Sequence, residues 1–225
     1  MIKLTNPDKG VTMSNGVNQF SITEEIWHAI THGVGLALSI AGLAILVAYA
    51  TLQGSALAIV SAAIFGTTLI VMYGSSTLYH AITHTKVKKI FQQFDHASIY
   101  FLIAGTYTPV TLLALGGAWG WSIFSVVWGA AIVGIFLKFA YPGRFEKLSL
   151  MLYLLMGWMI IIATEPLLSS MESGGLWLLL AGGLSYTVGI IFYVWDKLTF
   201  NHAIWHLFVL GGSILHYFMV LIYII

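Results

Sequence analysis

Residues 33–85 read GVGLALSIAGLAILVAYATLQGSALAIVSAAIFGTTLIVMYGSSTLYHAITHT and contain no Asp, Glu, Lys or Arg. A helix needs about 20 apolar residues to cross the hydrocarbon core of a bilayer. Two crossings therefore fit in this one stretch, divided at Gln53-Gly54. The rest of the 225-residue chain has the same character: 59% of its residues are hydrophobic and 8% are charged. Soluble domains carry about 25% charged residues. The chain reads as all-α, a polytopic membrane protein with seven transmembrane helices over roughly 28–51, 56–83, 94–115, 119–140, 147–164, 175–195 and 203–224. Each hydrophobic block is used once.

The breaks between blocks sort the charges. Lys3, Lys9, Lys86, Lys88, Lys89, Lys138, Arg144, Lys147 and Lys197 are all nine of the basic residues. They fall in the N-terminal tail and in alternate loops of the seven-helix reading. The intervening loops carry Glu165 and Glu172 but nothing basic. Basic loops stay in the cytoplasm, so the chain is expected to start inside and finish outside, in the plasma or inner membrane. Residues 1–20 read as a flexible cytoplasmic tail and 21–225 as the seven-transmembrane domain. Ser21 or Thr23 is placed to cap a helix opening with Glu24 and Glu25. No basic-then-apolar signal peptide precedes it.

Several classes of function drop out. The basic residues are few and scattered over short loops, which argues against nucleic acid. There is no cysteine, so disulfides and thiolate chemistry are excluded. A retinal protein needs a lysine in the seventh helix, and residues 203–225 have none. An ion transporter usually shows several intramembrane carboxylates and a two-fold repeat, whereas Asp95 stands almost alone.

What remains is histidine. Three pairs, His28/His32, His80/His84 and His202/His206, have i, i+4 spacing, which puts two imidazoles on one helix face, suited to chelating one metal ion. All three pairs map to the cytoplasmic ends of spans. With no thiolate and little carboxylate nearby, imidazole is the ligand type and zinc suits it. Asp95, near the inner end of the third span, is placed to orient or deprotonate a water at such an ion. Ser76 lies one turn before His80 on the same face. The structural alternative for the imidazoles is a hydrogen-bonded cluster holding helix ends together; for Asp95 it is a helix cap or a partner for a loop lysine. His28, His32 and Glu25 read as interfacial helix-start residues, and His84 faces the lysine loop and water. His96 points about 100° away from Asp95. His216 reads as a mid-membrane residue bonded to a neighbouring helix or touching lipid. Trp27, Tyr79, Trp119, Trp121, Trp195 and Trp205 read as interfacial anchors. Glu165-Pro166 reads as a helix end.

Ser76-Thr-Leu-Tyr-His80, Phe94-Asp95-His96-Ala-Ser-Ile and His202-Ala-Ile-Trp-His206 resemble the three signature motifs of the haemolysin III family, within the wider progestin and adipoQ receptor group. They occur in the family's order, at the ends of helices two, three and seven, and the resemblance covers roughly residues 20–225. It implies a zinc ion held by His80, His202 and His206, with Asp95 reaching the metal through water and Ser76 nearby. It also implies kinship with membrane hydrolases of the alkaline ceramidase type. The expected activity is zinc-dependent hydrolysis of a membrane lipid amide or ester, with a role in membrane lipid homeostasis. The alternative is a non-catalytic sensor, regulator or receptor-like protein with structural zinc, alongside the cytolysis that the family's label implies. A closed tetrahedral site, its fourth place taken by Asp95, His28 or His84, would mark that alternative.

Overall fold

The computed structural model describes residues 12–14 and 17–225. Most of the expected tail lies outside the described residues. Its described part includes a short antiparallel pairing of Thr12–Ser14 with Val17–Gln19. Among the described residues, seven helices are long and apolar enough to cross a membrane: the first span is Ile22–Leu52, the second Ala56–Ala81, the third Thr85–Leu115, the fourth Gly117–Ala140, the fifth Glu146–Ser170, the sixth Ser173–Tyr193 and the seventh Asn201–Tyr223. The protein is an all-helical seven-span membrane protein.

The first span starts six residues before the expected 28. Ser21 caps it, accepting from the Glu24 N–H, while the Glu24 carboxylate reaches back to the Ser21 N–H at 3.0 Å. This reciprocal box satisfies two otherwise orphan donors. Its inward stripe is Glu24, His28, His32, Gly35, Ser39, Gly42, Leu46 and Ala50, the three-and-four spacing of a one-faced helix. The opposite face, with Ile30, Val34, Leu38 and Ile45 exposed, is left for lipid. Small residues on the stripe let neighbours come close: a side chain at Gly35 would run into the Tyr73 ring.

The third span also starts early, at Thr85, so Lys86, Lys88 and Lys89 form its first turns and not a loop. Pro109 removes a backbone donor inside this span, and a π-helical turn follows at Val110–Leu115. The Thr108 and Thr111 hydroxyls donate to the carbonyls of Ala104 and Tyr107 there. The fifth span is broken in its middle, passing from α-helix to a 3-10 turn at Met159–Ala163 and back to α-helix. Tyr107 splices the break, its hydroxyl accepting from Ile160 N–H and donating to Gly157 O, both at 2.9 Å. Contrary to the sequence reading, Pro166 does not end this span. It sits in the first turn of Thr164–Ser170, where a missing N–H costs nothing.

Consecutive spans pack pairwise from the first to the fourth, the sixth pairs with the seventh, and the seventh returns against the first. The fifth packs on the third and fourth and is tied to the sixth by Trp158 Nε1 donating to Thr187 Oγ1 at 3.0 Å. The third, fifth, sixth and seventh spans contribute most of the wall of an internal cavity.

Candidate metal centre

His80 closes the second span, and His202 and His206 occupy the first two turns of the seventh. One ligand nitrogen from each lies within 4.8 Å of the others. His80 and His206 are 3% and 1% exposed. The first and seventh spans pack together, so His28 and His32 join the same cluster. The His28 ring centre lies 4.6 Å from that of His80 and 4.8 Å from that of His202. The His32 ring stacks on His206 at 3.5 Å. Phe20 lies over the group, stacked on His202 at 5.1 Å and edge-on to His28 at 4.7 Å.

Two of the three rings are held at Nδ1 by the first span. His80 Nδ1 lies 2.7 Å from Glu25 Oε2; a carboxylate only accepts, so Nδ1 carries the proton. His206 Nδ1 lies 3.1 Å from Thr31 Oγ1. The one proton on Thr31 is directed at the carbonyls of Trp27 and His28, so here too the imidazole donates. Both rings are thereby left with an unprotonated Nε2, the form a metal takes. Glu25 is anchored in turn by Lys88 at 2.9 Å, whose ammonium also donates to Tyr79 O at 2.9 Å and Ile82 O at 3.3 Å.

The donor set fits a divalent metal ion. His80 Nε2, His202 Nε2 and both nitrogens of His28 and of His32 are buried without a hydrogen-bond partner. Buried polar atoms left unpaired cost roughly 1–3 kcal/mol each, and a cluster of several calls for a partner. Coordination by neutral imidazole supplies one.

Asp95 is 8% exposed and lines the cavity together with His32, His202 and His206. Its carboxylate is not one of the atoms that cluster within ligand distance of the three histidines. Ser76 lies beside it, and its hydroxyl is buried without a well-formed hydrogen bond. The cavity holds about 1220 Å³ of empty space, counting its open part, and runs past Ile103, Trp158 and Val209 to His216.

Other histidines sort themselves by their neighbours. His84 is exposed at the start of the third span. His96 Nδ1 sits 3.9 Å from Glu146, which Lys138 also holds at 2.7 Å. His216 Nε2 donates to Leu179 O of the sixth span at 3.1 Å, as expected of a mid-membrane residue bonded across helices. His28 and His32 differ from expectation: they are 0% and 3% exposed, core members of the cluster and not interfacial residues. The early start of the first span, at Ile22, carries them nearly two and nearly three turns inward. Tyr79 is buried and Trp205 lines the cavity, so neither is an interfacial anchor. Glu25, Thr31 and Lys88 were not recognisable as supports of the site, because their partners are distant in the chain.

A family model described as haemolysin-III related matches residues 20–217. This chain belongs to the haemolysin III family. It is 50% identical over 204 residues to Hemolysin-3 of Bacillus cereus, covering 91% of this chain and 93% of that one. It is 51% identical to the Hemolysin-3 homolog of Bacillus subtilis (strain 168), over 91% and 96% of the two chains. A monocyte to macrophage differentiation factor of Homo sapiens is 31% identical over 167 residues, 72% of this chain and 69% of its own. The match of this haemolysin III family member to its Bacillus relatives spans nearly their whole length.

Proposed function

We propose that this protein is a zinc-dependent hydrolase of membrane lipid amides or esters, working at the cytoplasmic leaflet and serving membrane lipid homeostasis. One observation carries the reading: His202 and His206, two of the three convergent imidazoles, share with the buried Asp95 carboxylate a cavity whose remaining wall is mostly apolar. His80, His202 and His206 hold the ion, and Glu25 and Thr31 fix two of the rings. When bound there, a zinc ion would supply Lewis acidity to a water and to a substrate carbonyl. Asp95 accepts the proton of the attacking water and returns it to the leaving amine or alkoxide. The Ser76 hydroxyl, buried beside Asp95, donates to the carbonyl oxygen as charge builds there. The acyl chain lies along Ile103, Leu154 and Val209, entered sideways from the lipid. The amino terminus lies in the cytoplasm, following the basic loops.

The test is release of fatty acid from a panel of N-acyl and O-acyl lipids by purified protein in nanodiscs, wild type beside Asp95→Ala. Turnover by the wild type and its loss in the variant supports the reading; no turnover on any lipid, or equal turnover by both, overturns it. A second reading, a non-catalytic sensor or regulator with structural zinc, is favoured by the position of His28 alone.

A further inference from the structure

His28 is part of the histidine cluster, yet among the described residues no hydrogen bond holds either of its nitrogens. The six distances between the ring centres of His28, His80, His202 and His206 are 4.6, 4.8, 5.3, 5.3, 5.2 and 4.6 Å. Four nearly equidistant points are the corners of a tetrahedron. Zinc–nitrogen bonds of about 2.0–2.1 Å in tetrahedral geometry place imidazole centres about 5 Å apart. The four rings have that spacing already.

We infer that His28 is a fourth, displaceable ligand of the ion, completing a tetrahedron of imidazoles in the resting site and leaving it when water or substrate enters. The inference rests on the reading of the cluster as a metal centre and adds a residue to it. Both nitrogens of His28 are buried and unpartnered, while His80 and His206 are each tied at Nδ1. One nitrogen of His28 groups with His80 and Glu25 within 4.8 Å, and its ring centre lies 4.6, 4.8 and 5.3 Å from those of His80, His202 and His206. Glu25 does not compete, since its two oxygens are engaged by His80 and Lys88. His32 does not compete either. Its ring lies parallel to His206, 9° between planes at 3.5 Å, and in-plane lone pairs of stacked rings do not converge on one point. Because no hydrogen bond holds its ring, His28 is also the ligand that can swing away to make room for water or a lipid carbonyl.

X-ray absorption at the zinc edge counts imidazoles directly, without reference to turnover. Zinc-loaded wild type in nanodiscs is expected to show four, and both His28→Ala and His28→Gln three, with zinc lost to a weaker chelator in each. Gln fills the space of the ring, so agreement between the two variants separates lost ligation from lost packing. Three imidazoles in the wild type, or four in either variant, overturns the inference while leaving the three-histidine site standing. A wild type that binds no zinc overturns both.

Discussion

The Glu25 carboxylate on the first span lies 2.7 Å from Nδ1 of His80 at the end of the second. Both side chains are shielded, at 16% and 0% exposed. Partners of this kind fix the ring and raise its basicity, and losing one weakens metal binding by about 10–100-fold. Glu25→Gln keeps the shape but removes the charge, and Thr31→Val removes the acceptor for His206. Each variant is expected to bind zinc about 10-fold or more weakly in a competitive chelator titration. Unchanged affinity in both would show that the rings do not hold the ion through Nε2.

Asp95 tests a different link. Its carboxylate is not part of the group of mutually close ligand atoms formed by His80, His202 and His206, so Asp95→Ala should leave the zinc content unchanged. General acid–base groups contribute about 10²–10⁴-fold in rate, and turnover should fall by that order. A variant that loses zinc and activity together would make Asp95 a ligand.

The cavity makes a prediction about chain length. Gly183 of the sixth span lines it, and a Cβ added there would meet the Trp158 ring at 3.6 Å. Gly183→Phe puts a ring into space reserved for an acyl chain. Hydrolysis of long-chain substrates should fall while short-chain ones persist, read as a change in relative kcat/KM. Equal loss for all lengths would mean the chain lies elsewhere.

Much of this architecture is legible in the amino-acid order, and the reason is physical. A stretch such as Gly33–Thr85, free of charge, has few alternatives to crossing a bilayer. The errors cluster at helix ends. The first and third spans are 31 residues each, about 46 Å of helix, against about 30 Å of hydrocarbon. Hydropathy registers only the apolar middle, so it leaves Glu25, His28 and Lys88 at an edge or in a loop although they belong to the helices. The inward face of the first span had a usable signal: His28, His32, Gly35, Ser39 and Gly42 share one stripe, which should have turned both histidines inward. No local signal pairs Glu25 with His80, 55 residues on. That contact exists only once the first two spans pack.

Sidedness is open to direct test because the chain has no cysteine. A cysteine introduced at exposed Lys86 should be protected from a membrane-impermeant maleimide in intact cells. One introduced at exposed Glu172 should be labelled. The reverse pattern would put the histidine cluster on the outer face and remove cytoplasmic-leaflet lipid as its substrate.

Everything functional depends on imidazoles of the second and seventh spans sharing one ion. Elemental analysis of purified wild type against a combined His80→Ala, His202→Ala, His206→Ala variant measures this directly. Stoichiometric zinc in the wild type and background zinc in the variant is the expected result. Equal zinc in the two proteins, or none in either, would contradict it.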